Sequence, residues 1–184
     1  MYEEMCACKE LFTKYGGHKM AAGLSLSDEQ SVDLFRKRLN ENCRLNDEDF
    51  EEILHIDVAM PLAYADLTFI HELSRLAPFG VGNPRPLFAR KGISLLSGKK
   101  LGKGKKVGKY RIADENGRTY EMIYFGDGER LDGFLTERHG EKAVAELYGS
   151  GVTEGTILIS MAYYPDINCF GGRETIQIIM QDYC

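Results

Sequence analysis

The chain is predicted to be α+β: a small α/β piece over residues 1–48, a connecting segment over 49–86, and a five-stranded β-barrel with an inserted helix over 87–184. Three observations lead there. The opening quarter carries apolar residues at helical spacing on either side of one short strand-like stretch. The acidic run "NDEDFEE" marks a shift of composition near residue 48. Beyond residue 87 the chain reads strand, strand, strand, helix, strand, strand.

"YEEMCACKELFTKY" places Cys8, Leu11, Phe12 and Tyr15 at i, i+3, i+4 and i+7, with Met5 one turn earlier. That is one face of an amphipathic helix, closed by Gly16 and Gly17. "AAGLSLS" reads as a short strand. Ser27 and Gln30 fit a capping box for a helix over about 28–44, striped by Val32, Phe35, Leu39 and Cys43. The carboxylates between Asp47 and Glu52 read as a solvated linker rather than a metal pair. "ILHIDVAM" is strand-like, and Asp66 caps a helix over 67–76. In "APFGVGNPRP" three prolines and two glycines forbid helix, so this stretch shapes the entrance to the barrel.

"LFARKGISLLSG", "KKVGKYRIAD" and "RTYEMIYFG" are the first three barrel strands, with Glu115-Asn116-Gly117 a tight turn before the third. Helix follows over 128–148, with Gly140 an interruption. "TILISMAYYP" and "RETIQIIMQD" are the last strands, joined through "DINCFGG". This order is that of an OB-fold, a Greek-key barrel whose strand face and loops bind oligonucleotides. The pattern alone also admits other small barrels.

With 43% hydrophobic and 28% charged residues, the composition is that of an ordinary globular protein. No apolar run approaches the roughly 20 residues that span a bilayer, and no signal-peptide pattern opens the chain, so no membrane partner is expected. Five cysteines, an odd number, point to a reducing cytoplasm. Cys6 and Cys8 form a lone C-x-C without a second pair, so they are read as helix residues and no metal ligands are assigned.

The net charge of −5 argues against a nucleic-acid partner until it is resolved along the chain. "KKLGKGKKVGKYR" holds Lys99, Lys100, Lys103, Lys105, Lys106, Lys109 and Arg111 and no acid, which leaves −12 on the remainder. Glycines interleave the lysines, so a mobile loop between the first two barrel strands is expected. Such a run is often a merely solvated face. Seven uncompensated cations repel one another, however, and a polyanion relieves that repulsion and releases its own counterions. Tyr110, Tyr120 and Tyr124 lie on the following strands and offer rings for base stacking. Alternation puts Tyr120, Met122 and Tyr124 on one face and Ile123 and Phe125 on the other, and one of the two sets is core. Spacing does not say which.

"GGHKMAAG" brings together Gly16, Gly17 and His18. The two glycines let backbone N–H groups approach an anion, and His18 can donate to a phosphate oxygen. Ala21, Ala22 and Gly23 leave room for a close approach. As chemistry alone the motif is weak, because a helix exit also accounts for it.

"GGHKMAAGLSL" resembles the signature of the DHH-associated domain, the substrate-binding partner of DHH-family phosphoesterases. "LAPFGVGNPRPLF" resembles the stretch leading into the OB domain of RecJ-type single-stranded-DNA-specific exonucleases, and "NCFGGRETIQIIMQD" is similar to the last hairpin of that domain. The three motifs come in the same order over nearly the whole chain. The resemblance implies the end of a DHH-associated domain followed by an OB domain, from a hydrolase that degrades single-stranded DNA 5′ to 3′ in recombination and repair. It implies that Gly16, Gly17 and His18 contact phosphates of the strand. It also implies that Mn²⁺ or Mg²⁺ is held in an N-terminal DHH catalytic domain, the partner of this region. No Asp-His-His string occurs here, and His18, His55, His71 and His139 lie in unrelated contexts. The chain is therefore expected to bind single-stranded DNA without cutting it. A non-enzymatic single-strand-binding OB module and a DHH-type oligonucleotide phosphodiesterase are the alternatives.

Overall fold

The computed structural model describes residues 2–18, 21–50, 53–103, 106–149 and 157–184. The chain divides into two compact units, Met1–Ile53 and Leu54–Cys184.

In the first unit, α1 (Tyr2–Cys6) and a single 3-10 turn at Lys9–Leu11 lead into β1 (Phe12–His18). β2 (Ala21–Leu26) pairs antiparallel with β1, setting Gly16 against Gly23, Gly17 against Ala22 and His18 against Ala21. The helix expected over 2–15 thus stops after Cys6. Phe12, Thr13 and Tyr15 are strand formers, and two adjacent glycines weaken any helix. A second strand lies ready in sequence to take the backbone hydrogen bonds of the first. α2 (Ser31–Asn42) starts three residues later than expected. The box of Ser27 and Gln30 does not form. Asp28 Oδ1 instead accepts from Ser31 N at 2.8 Å and Ser31 Oγ at 2.9 Å. Phe35 of α2 meets Phe12 edge-on, with ring centroids 5.3 Å apart.

The second unit begins with β3 (Val58–Ala59) and α3 (Leu67–Ser74). Asp66 caps α3 as expected, its Oδ1 accepting from Phe69 N at 2.8 Å. The connector after α3 is held by Asn83 Nδ2, which donates to Leu76 O and Pro78 O. Then come β4 (Phe88–Leu101), β5 (Val107–Ala113), β6 (Thr119–Tyr124), α4 (Gly128–His139), α5 (Glu141–Leu147), β7 (Ile157–Phe170) and β8 (Arg173–Tyr183). Gly140, at φ +83°, separates the two helices where an interruption was expected.

Neighbouring strands run β3-β4-β5-β6-β8-β7, and β4 also pairs with β7. The five long strands therefore close on themselves, with the two-residue β3 added parallel to the start of β4. Closure requires β4 to serve two partners. Irregularities at Arg90/Ile93 and Leu95/Ser97 bend it from β7 toward β5. The turn expected over "DINCFGG" shrinks to Gly171 and Gly172, both at positive φ, because β7 continues paired through Phe170. Two glycines at positive φ give the tight hairpin turn whose twist matches that of the strands.

Inside the barrel lie Ile93, Leu95, Tyr110, Ile112, Met122 and Tyr163, with Ile157, Ile159 and Ile178 beside them. Leu131, Leu135 and Leu147 of the helices complete this core. Asp114 is buried, and its carboxylate closes the β5–β6 turn by accepting from Asn116 N, Arg118 N and the Tyr120 hydroxyl.

Candidate nucleic-acid interface

Alternation along β5 turns Gly108, Tyr110 and Ile112 into the barrel and Lys109 and Arg111 outward. Register sets Lys99 beside Lys109, Ser97 beside Arg111, and Arg111 beside Glu121. A cleft of about 340 Å³ on this outer face is lined by Ser97, Lys99, Lys109, Arg111, Thr119 and Glu121, among others. Beyond it stands the β4–β5 tip, where Lys103 and Lys106 are exposed. Lys105 lies outside the described residues.

The run is less of a loop than expected. β4 continues to Leu101, so Lys99 and Lys100, expected in the loop, are strand residues, while Lys109 and Arg111 lie on β5 as expected, although that strand begins at Val107 and not at Lys105. Nor are all seven cations uncompensated, because acids arrive from other elements. Lys109 Nζ meets Glu121 at 2.7 Å across the β5–β6 pair. Burial acts to raise the pKa of the Glu121 carboxyl, but the hydrogen bonds from Lys109 and Gln177 outweigh it and hold the group below its ordinary value. Lys100, its side chain 25% exposed, pairs with Asp132 of α4 and lies 5.2 Å from the Tyr148 ring centre. Tyr148 donates to Asp132 Oδ1 at 2.6 Å, and the Tyr110 and Tyr148 hydroxyls lie 3.0 Å apart. Burial first, then these two hydrogen-bonding partners, keeps the Tyr148 phenol protonated far above the usual range. The network ties the root of the tip to the helices. It spends Lys100 on structure.

The set of Tyr120, Met122 and Tyr124 is core, and of the other set Ile123 is buried as well while Phe125 is exposed. Tyr110 is 1% exposed, and Tyr120, Met122 and Tyr124 belong to the same core. Tyr110 and Tyr120 border the outer cleft, but these rings are buried too deeply to stack on a base. A ring volume that fits a small barrel's interior is best used there, with the hydroxyls satisfied at its edge. The sequence reasoning missed Asp132 and Glu121. Glu121 was legible, since it alternates with Tyr120 and Met122 and so shares a face with the lysines. Asp132 carried no signal, because its partner is 32 residues away.

In the first unit, Gly16, Gly17 and His18 form the end of β1, not a helix exit. Gly17, at φ +153°, has Ala22 Cα only 2.6 Å from where a Cβ would stand, so its glycine is required by the hairpin itself. Gly16 and its partner Gly23 have nothing within 4 Å of that position. These two leave a side-chain-free strip on exposed backbone. Lys19 and Met20 of the motif lie outside the described residues. Among the described residues, no group of three or more His, Cys, Asp or Glu is placed to hold a metal ion, and no helix is long and apolar enough to cross a membrane.

A closed barrel of strand order β4-β5-β6-β8-β7, with helices between the third and fourth strands, is an OB fold. Residues 56–182 match the RecJ OB domain, and the chain belongs to that family. The single-stranded-DNA-specific exonuclease RecJ of Bacillus subtilis (strain 168) is 31% identical over 137 residues, 73% of this chain and 17% of that protein. The protein of the same name from Thermus thermophilus is 31% identical over 105 residues, 57% of this chain and 15% of that one. Crystal structures of Thermus thermophilus RecJ in complex with Mg²⁺ and with Mn²⁺ share the fold over 99% of this chain, with TM-scores of 0.63 and 0.65 at 22% identity. The chain covers 24% and 23% of those structures.

Proposed function

We propose that this chain is the nucleic-acid-binding region of a RecJ-type 5′-to-3′ exonuclease of DNA recombination and repair, holding single-stranded DNA for a DHH catalytic domain of the same protein. The observation that carries the reading is the outward cation row of Lys99, Lys109 and Arg111 on β4 and β5 of an OB barrel, continued by Lys103 and Lys106 at the tip. Cations along this row displace the counterions condensed on a strand's phosphates and give salt-dependent affinity. Gly16, Gly17 and His18 contribute a second, separate grip on the sugar–phosphate chain. The glycine strip supports this, since Gly16 and Gly23 answer no steric need of the hairpin. Their role is positioning, because a backbone held in register reacts as a near-attack substrate.

Cleavage itself belongs to the catalytic domain. Divalent metal supplies an activated water and charge neutralisation at phosphorus there. The described residues of this chain offer no ligand set that fits such an ion, so no catalytic step is assigned to them. Five free cysteines suit a reducing cytoplasm.

Fluorescence anisotropy with a labelled oligothymidylate of about 12 nucleotides tests the binding. Affinity should fall steeply with salt, and replacing Lys103 and Lys106 by Glu should weaken binding and flatten the slope. Equal affinity and slope in wild type and variant would refute the interface. Incubation of the chain with the same strand and Mn²⁺ should leave the strand intact, and processive shortening would refute the division of labour.

A further inference from the structure

With Tyr110, Tyr120 and Tyr124 turned into the core, the lysine-bearing tip lacks the stacking rings that those residues offered. Another ring stands beside it. Phe125 is 64% exposed, although it directly follows the buried Tyr124. Register pairs Tyr124 with Gly108, so Phe125 emerges one residue beyond that pair, at the root of the tip. It lines a cleft of about 600 Å³ together with Lys100, Lys106, Asp127 and Glu129.

The charges in this cleft are unequally committed. Lys100 is tied to Asp132. Asp127 caps α4, its Oδ1 accepting from Glu129 N at 2.9 Å and Arg130 N at 3.2 Å. Glu129 stands exposed on the first turn of α4, and Lys106 is exposed at the tip. Gly128, which also lines the cleft, has open space where a Cβ would stand. Single exposed apolar residues are common on protein surfaces. This one shares a cleft with a lysine of the cationic tip. Phe170, 85% exposed at the β7–β8 turn, is not among the residues that line this cleft.

We propose that Phe125 is the base-stacking residue of this interface. Its ring takes one unpaired base of a single strand, while Lys106 and the neighbouring Lys103 meet flanking phosphates. Every base has a π-face, so this contact holds a strand without reading its sequence. The proposal rests on the single-strand-binding reading above.

The test uses the 184-residue chain, which contains no tryptophan. Phe125→Ala should raise the Kd for the labelled oligothymidylate about 5- to 100-fold. The thermal melt should stay in place, because the ring is exposed. The salt slope should also stay in place, because a phenyl group neutralises no phosphate. Phe125→Trp should bind like wild type, and its single indole should be quenched as unlabelled oligothymidylate is added. Wild-type affinity in Phe125→Ala, or indole emission unmoved at saturating strand, would overturn the stacking role and leave salt-dependent binding by the lysines standing. Failure of the wild-type chain to bind at all would instead overturn the reading on which the proposal rests.

Discussion

The barrel and the hairpin unit hold their candidate binding residues in opposite ways. In the barrel, each outward cation on β5 alternates with a side chain sunk in a continuous core, so Lys109 and Arg111 stand on rigid backbone. In the first unit, Met5 and Cys8 are the buried apolar side chains among the described residues, and β1 lies open over most of its length. A site on a packed wall keeps its geometry without ligand. A site on a thinly supported hairpin draws its order from whatever covers it. On the proposed reading, the difference assigns two tasks: capture of a strand to the barrel, and a grip on a strand already placed to the hairpin.

Core substitution tests the contrast most strongly. Ile178→Ala removes a side chain from the sealed barrel interior and should cost about 2–5 kcal/mol, read as a large fall in the denaturant midpoint. Leu39→Ala on the half-buried face of α2 should cost much less. Equal losses would erase the distinction between the units. Hydrogen exchange should show the same ranking, with β6 and β8 amides far better protected than those of β1 and β2.

The hairpin glycines come next. Gly17→Ala forces a Cβ into Ala22 at a backbone angle that L-residues avoid, a strain of about 1–3 kcal/mol. The β1–β2 amide signals should collapse while the barrel's melt does not move. Gly16→Ala should keep the hairpin and yet slow cleavage when placed in the full-length enzyme. Unchanged kinetics would return Gly16 to a neutral role.

Alkaline titration sharpens the account of the barrel. Burial above all, aided by Tyr183, pushes Tyr124 up from 10.0 to about 12. The unfolded chain ionises first, so this contribution to stability is complete below about pH 10 and is lost as the pH rises through about 12. Phenolate absorbance should lag behind that of the denatured protein, and the melting temperature should begin to fall near pH 10. Coincident titration of native and denatured chains would contradict the burial of these rings.

The smallest effect concerns Lys109. Glu121→Gln removes its carboxylate partner and should tighten single-strand binding a few-fold, with the salt slope steeper by about one ion. A looser complex would mean that the pair orients Lys109 for phosphate instead of competing with it.

Much of the barrel was legible because local rules agree there with the global fold. The succession of strands and helices along the chain, the Gly140 break and the Asp66 cap each rest on chemistry within a few residues. The first unit misled for the same reason. Cys8, Leu11, Phe12 and Tyr15 satisfy helical spacing, but β1 finds its hydrogen-bond partner across the hairpin, and that pairing outweighs periodicity in a segment ending in two glycines. The lysine run was visible as charge, whereas the acids that answer it, Glu121 and Asp132, are supplied by other elements.

The amino-acid sequence by itself determined the strands and helices of the barrel, their succession along the chain, which permits an OB barrel, and the concentration of positive charge at one hairpin. Only the tertiary structure decided which aromatic face is interior, which lysines are already paired, and that the Gly-Gly-His string lies in a strand. The first set depends on neighbours along the chain. The second depends on barrel closure, which brings β4 beside both β5 and β7 and sets α4 against the barrel core, and no local pattern encodes those distances.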